Sequence, residues 1–233
     1  MPAFDIRAKV VSNVRVTDNV CVLTFAMIEP QELQFKAGQY LFVHASERVL
    51  RPFSISSSPD NITTFEFCIE VIPDGVASNY LWNLKEHDEV LLKGVFGSFV
   101  YHKDPDIEEI FMIATGTGIA PIKSMLLYEL NHGEKRPIHL LFGESMAKDF
   151  YYLDIFAELI KKYPNLTCDL CASRDQKEGY INGRVQTALE KYFPIGKKSS
   201  FYICGGRQMI MDVSDLIIKN GGDAKHIYHE KFF

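Results

Sequence analysis

Ile113-Ala114-Thr115-Gly116-Thr117-Gly118-Ile119-Ala120-Pro121 leads from an apolar run through two glycines into a helical pattern. Glycine lets the backbone come close to a ligand, and a helix N-terminus offers free N–H groups and positive potential to a diphosphate. Proline at 121 suits a first helical turn, where its missing N–H costs little. The stretch departs from the full GxGxxG pattern, because proline takes the third glycine position. In a strand-to-helix setting it predicts dinucleotide binding by Thr115, Gly116, Thr117, Gly118 and Pro121.

Downstream, apolar strands alternate with helical spacing. Strands are expected at 110–114, 138–142, 166–172 and 200–204, and helices at 121–131, 152–162, 185–192 and 208–220. This alternation is the pattern of a parallel sheet with crossover helices. A second small-residue turn, Cys204-Gly205-Gly206, repeats the strand-to-helix geometry. Ligands of open parallel sheets bind beyond the carboxyl ends of the strands, so both turns are expected to face one crevice. Cys204 then stands at its rim, or is a buried small apolar residue.

Upstream the grammar differs. Short β-rich segments at 8–16, 20–26, 40–44, 53–56, 64–71 and 89–93, parted by turn signals, predict an antiparallel barrel or sandwich. One helix interrupts them at 76–85, after the loop signal Pro73-Asp74-Gly75. Asp104-Pro105-Asp106 resembles a linker, which places two domains at 1–103 and 104–233.

Two stretches of the first domain carry candidate chemistry. Arg51-Pro52-Phe53-Ser54 offers a cation, a ring and a hydroxyl, expected to project from one face of a strand. The alternative is an ordinary barrel strand with Phe53 in the core and Arg51 in solvent. In Gly75-Val76-Ala77-Ser78, Ser78 either caps the helix or helps its N-terminus hold a phosphate.

A formal net charge of −5 gives no basic footprint for nucleic acid. No apolar run approaches membrane-spanning length, and residues 1–5 lack a signal-peptide layout, so a cytoplasmic protein without membrane insertion is expected. Five scattered cysteines suit free thiols in a reducing compartment. Cys168 and Cys171 have CxxC spacing but fall in a predicted strand with no second pair, so no metal site is expected.

Taken together, Arg51-Pro52-Phe53-Ser54, Gly75-Val76-Ala77-Ser78, Gly116 to Pro121, Cys204-Gly205-Gly206 and a terminal Glu230-Lys231-Phe232 occur in one order. This combination resembles the ferredoxin–NADP⁺ reductase superfamily, over essentially the whole chain. The resemblance implies an antiparallel β-barrel FAD domain followed by an α/β parallel-sheet domain for NADH or NADPH.

It further implies that Arg51 binds the flavin diphosphate, Phe53 stacks beside the isoalloxazine and Ser54 hydrogen-bonds near flavin N5, with Pro52 between them. Gly75, Val76, Ala77 and Ser78 hold the diphosphate. Cys204, Gly205, Gly206 and Glu230 border the nicotinamide, and Phe232 or Phe233 covers the flavin. Ser173 and Arg174 stand where some relatives bind the 2′-phosphate of NADPH. Glu144, however, puts a carboxylate where relatives often carry arginine, and residues 179–185 resemble NADH-using members, so the reading leans to NADH.

The implied function is an FAD-dependent NAD(P)H oxidoreductase, with Ser54, Cys204 and Glu230 at its reacting centre. No ferredoxin-like cysteine cluster occurs in the sequence, so electrons are expected to leave to a separate acceptor: a ferredoxin-like protein, an oxygenase component or free flavin. One alternative is a reductase that releases free reduced flavin. Another is a non-catalytic flavin-binding redox subunit.

Overall fold

The computed structural model describes residues 4–232. The chain divides into two compact units, one of residues 1–101 with 123–131 and the other of residues 102–122 with 132–233.

In the first unit, strands β1 (Phe4–Arg15), β2 (Val20–Glu29), β3 (Tyr40–Ser46), β4 (Val49–Ser54), β5 (Thr64–Glu70) and β6 (Glu89–Phe96) form one antiparallel sheet. Its order is β4-β3-β6-β1-β2-β5. The two end strands meet at the antiparallel bridge of Ile55 with Phe67, and Ser56 N–H donates to the Glu66 carbonyl at 2.8 Å. That closure makes the predicted barrel, and it removes the exposed edges that an open sheet would present.

The period-2 pattern fills the interior. Ile6, Ala8 and Val10 of β1, Leu23 and Phe25 of β2, Leu41 and Val43 of β3 and Phe65, Phe67 and Ile69 of β5 share one buried cluster. Helix α1 (Val76–Asn83) packs Leu81 into the same cluster. Residues 123–131 are counted with this unit, and Lys123 shows why. Only 3% exposed, it donates from Nζ to Glu66 Oε1 at 2.7 Å and to the Ser56 carbonyl at 3.2 Å. A buried cation needs such a partner.

The second unit is a parallel sheet: β7 (Glu109–Thr115), β8 (Ile138–Glu144), β9 (Leu166–Ala172), β10 (Ile181–Asn182), β11 (Ser199–Gly206) and β12 (Ile227–Phe232). The order is β10-β9-β8-β7-β11-β12. From β7 the chain winds outward through β8 to β10, then returns to the other side of β7 with β11. The reversal leaves a switch point between β7 and β11. The connecting helices are α2 (Ile119–Asn131), α3 (Leu153–Lys162), α4 (Val185–Leu189) and α5 (Arg207–Lys219).

Three expectations shift. The helix placed at residue 121 begins at Ile119, and a 3₁₀ turn over Gly116–Gly118 precedes it. The strand expected at 53–56 is Val49–Ser54, with Ile55 contributing only the closing bridge. Strands β10 and β12 were absent from the sequence reading. Both lie at the ends of the sheet, where a short strand or one with exposed His229 and Lys231 carries little apolar signal.

Candidate functional site

Each unit presents part of the chemistry. In the barrel, the pairing of β3 with β4 decides where the Arg51–Ser54 side chains point. Leu41 pairs with Phe53 and Val43 with Arg51, and both β3 residues are in the core. Tyr40 pairs with Ser54 and Phe42 with Pro52 on the other side of the strand. The expectation that cation, ring and hydroxyl share one face is therefore corrected. Ser54 lies an odd number of residues from Arg51, so the pleat turns it the opposite way.

Phe53 is half-buried with its ring 6.0 Å from that of Phe67, while Arg51 is exposed and donates from Nη1 to the Leu50 carbonyl at 3.0 Å. Ser54 is 6% exposed. Between Val49 and Ser54, β4 pairs with β3 alone among the described residues. A ligand running along its other edge would have the cation and ring to one side and the hydroxyl to the other.

The start of α1 adds an anion site. Gly75 is the N-cap residue, no side chain caps the helix, and no carboxylate stands in its first turn. The Ser78 hydroxyl donates to the Gly75 carbonyl at 3.1 Å and accepts the Ile72 N–H at 3.3 Å. It thus ties the loop to the helix and does not act as a standard cap. Asn79 Nδ2 reinforces this tie, donating to the Ile72 and Gly75 carbonyls at 3.0 and 2.8 Å. A Cβ at residue 75 would stand 2.5 Å from both Ser78 Oγ and Ile72 Cγ1, so any larger residue would have to push these side chains aside. The first-turn N–H groups, which a helix cannot satisfy internally, are what this turn offers an anion.

In the α/β unit the two glycine turns lie side by side. Ala114 and Cys204 are paired in register, so Gly116 and Gly206 leave neighbouring strands at the same carboxyl edge. This edge is the switch point. Gly116 takes φ +56, and among the described residues nothing lies within 4 Å of a Cβ built there or at Gly206, which is room for a ligand. Gly118 does the reverse. Its Cβ would come 2.4 Å from the Cys204 carbonyl oxygen, so only glycine lets this turn pack on β11. Thr115 and Thr117 are half-buried beside it, and Pro121 falls in the first turn of α2.

Strand β12, missed by the sequence reading, extends this edge. Cys204 pairs with Glu230, Gly205 with Lys231 and Gly206 with Phe232. The structure thus brings Cys204 and Glu230 together by parallel register, as two residues in the same row of the sheet. Cys204 is fully buried, and burial, with Glu230 adding to it, pushes its thiol well above the usual range. The thiol keeps its proton at neutral pH and offers Sγ–H, with no nucleophilic thiolate. Phe232 is half-buried, and Phe233 lies outside the described residues.

Ser173 and Arg174 follow β9. Their N–H groups donate to the carbonyls of Glu144 and Ser145 at 3.0 and 2.9 Å. The cation and the carboxylate thus stand at one sheet edge, and Arg174 is exposed. Cys168 and Cys171 of β9 have thiols raised to about 12, chiefly by burial. No helix is long and apolar enough to cross a membrane among the described residues.

Comparison with known proteins agrees with this geometry. The Oxidoreductase FAD-binding domain family matches residues 7–101, and the Oxidoreductase NAD-binding domain family matches residues 112–215. The flavodoxin/ferredoxin–NADP reductase of Shigella flexneri is 34% identical over 193 residues, covering 77% of each chain. The reductase component of propane 2-monooxygenase from Mycolicibacterium goodii is 28% identical over 240 residues, covering all of this chain and 69% of that one. With 65% coverage of its Rhodococcus jostii counterpart, the chain spans about two thirds of the length of these relatives.

The crystal structure of a cytochrome P450 reductase from Amycolatopsis superposes with a TM-score of 0.92 at 25% identity, over 99% of this chain and 70% of that one. A barrel for FAD followed by a switch-point sheet for a nicotinamide dinucleotide defines a class of two-cofactor flavoprotein reductases. The chain belongs to the ferredoxin–NADP⁺ reductase family and is an NAD(P)H-dependent flavoprotein reductase that uses FAD.

Both cofactors fit the residues present. The uncapped start of α1 suits the FAD diphosphate, and the open space over Gly116 and Gly206 suits that of the nicotinamide dinucleotide.

Proposed function

We propose that this reductase takes a hydride from NADH or NADPH and passes its electrons one at a time to a separate acceptor, a ferredoxin-like protein or an oxygenase component. The observation that carries the reading is the Cys204–Glu230 pair, in register beside two open glycine turns at the switch point. The relatives named as oxygenase reductase components support the choice of acceptor. When bound, FAD supplies the conversion between a two-electron hydride and single electrons.

The chain's residues supply position. Arg51 and the N-terminus of α1 hold the FAD diphosphate, Phe53 lies beside the flavin ring, and the Ser54 hydroxyl hydrogen-bonds near N5. Thr115 to Gly118 and Pro121 hold the diphosphate of the nicotinamide dinucleotide. Gly205 and Gly206 allow the nicotinamide close to the backbone, and Phe232 shields the flavin from water. Cys204 keeps its proton on Sγ and borders the nicotinamide, with the Glu230 carboxylate at its side. Ser173 and Arg174 face the adenosine end, where the neighbouring Glu144 disfavours a 2′-phosphate and tilts the choice to NADH.

Gel filtration followed by a visible spectrum and an acceptor assay tests the proposal. Stoichiometric retained FAD and NADH-driven reduction of a one-electron acceptor without added flavin are expected. A colourless protein that oxidises NADH only with added flavin would assign it to the free-flavin reductases instead.

A further inference from the structure

The helix that offers its N-terminus to the FAD diphosphate is only eight residues long, and locally its other end is held by the Leu84 N–H on the Leu81 carbonyl at 3.2 Å and by Asn83 Nδ2 on the Asn79 carbonyl at 2.8 Å. No basic side chain lies in its last turn. A helix this short is marginal by itself, and its last carbonyls need outside partners. Further partners come from β1. Asn13 Nδ2 lies 3.4, 3.2 and 2.8 Å from the carbonyl oxygens of Leu81, Trp82 and Leu84. The Arg15 guanidinium sits 3.5 Å from the centroid of the Trp82 ring system and donates to the Trp82 carbonyl. Arg15 Nη1 also donates to Asn13 Oδ1 at 2.9 Å, joining the two side chains.

A bulge in β1 makes this grip possible. Val10 pairs with Phe25, but Ser12 pairs with Thr24, so Val11 is skipped and the alternation of faces reverses. Before the bulge Ile6, Ala8 and Val10 point into the core; after it Asn13 pairs with buried Leu23 and Arg15 with buried Cys21. The reversal puts half-buried Asn13 and exposed Arg15 on the side of β1 that meets the end of α1. A cation at a helix C-terminus and an anion at its N-terminus reinforce each other along the helix dipole.

We propose that Asn13 and Arg15 are positioning residues for FAD: by holding the C-terminal carbonyls of α1, they fix the N–H groups that receive the flavin diphosphate. The inference rests on the reading that this diphosphate sits at the α1 N-terminus.

The test measures equilibrium dissociation constants of the apoprotein for FAD and for riboflavin, which lacks the phosphates, by quenching of flavin fluorescence. Arg15→Ala and Asn13→Ala should weaken FAD roughly three- to tenfold, the range of one charge–dipole or hydrogen-bond contribution, with riboflavin unchanged. Arg15→Lys, which keeps the charge, should recover part of the loss. Should Asn13→Ala fail to fold, Arg15→Ala at its exposed position carries the test alone. Val76→Asp, a carboxylate at an exposed position in the first turn of α1, checks the underlying reading and should weaken FAD selectively. If Val76→Asp leaves FAD binding intact, the diphosphate lies elsewhere and both ideas fall. If Val76→Asp acts but Arg15→Ala leaves FAD unchanged, or weakens FAD and riboflavin equally, the positioning role is overturned.

Discussion

Replacing Gly118 by alanine probes the nicotinamide turn at its tightest point. The added methyl would stand 2.4 Å from the Cys204 carbonyl oxygen, 2.6 Å from the Cys204 carbonyl carbon and 2.9 Å from the Gly205 nitrogen. All three are backbone atoms of β11, so no side chain can swing away. Ordinary contact begins near 3.4 Å, so turn and strand must part by about 1 Å. Overpacking of this kind costs about 1–3 kcal/mol of stability. The functional cost follows from the direction of the shift, since the turn carries the N–H groups for the diphosphate. A misplacement of about 1 Å can cost on the order of a hundredfold in rate. Anaerobic stopped-flow reduction of the bound flavin, run against NADH and NADPH concentration, should show kcat/KM falling by roughly that factor. FAD content should stay normal. Wild-type kinetics in a folded Gly118→Ala protein would refute the assignment of this turn to the nicotinamide dinucleotide.

Other outcomes follow from the same geometry. Ser54→Ala should slow hydride-driven flavin reduction by about tenfold, the worth of one hydrogen bond, while FAD content is retained; equal loss of FAD would make Ser54 a binding residue only. Cys204, fully buried with its thiol pKa raised, should resist iodoacetamide at about pH 8 until the protein is unfolded, and labelling at the rate of a free thiol would contradict the burial. His139 is held below its usual pKa by burial, against the opposing pull of Glu109 and Asp169. Its neutral form is therefore favoured by folding, so its contribution is fully present above about pH 6.5 and is lost as pH falls through the lowered value. Urea melts should show stability falling as pH drops through that window. His139→Gln should flatten that slope, and an unchanged slope would remove His139 as its source.

Much of this arrangement was legible in the sequence because the signals were local. Strand β9 spans Leu166–Ala172, the bounds expected for it, and the 113–121 stretch forms the expected strand, turn and helix. Glycine at 116 and 118 signals a backbone requirement that shows in one residue type. What escaped depends on register between distant strands. The Ser54 expectation fails on a local rule instead, since adjacent strand residues alternate faces and Ser54 faces away from Phe53; the pairing with β3 adds which of the two faces meets the core. The pairing of Cys204 with Glu230 needed β12, whose exposed polar residues hide it. The roles of Asn13 and Arg15 hang on a single skipped residue, Val11, which no composition rule distinguishes from its neighbours in a valine-rich strand.

The central claim is that one chain holds FAD on its barrel and draws electrons into it from a nicotinamide dinucleotide bound at the Gly116 and Gly206 turns. Anaerobic titration of the purified, FAD-containing protein with NADH, and separately with NADPH, tests it most directly. The account predicts that one equivalent of at least one of them bleaches the flavin absorbance, and that Gly118→Ala demands far higher concentrations for the same rate. A yellow protein whose flavin is reduced by dithionite but stays oxidised with either nicotinamide would contradict it.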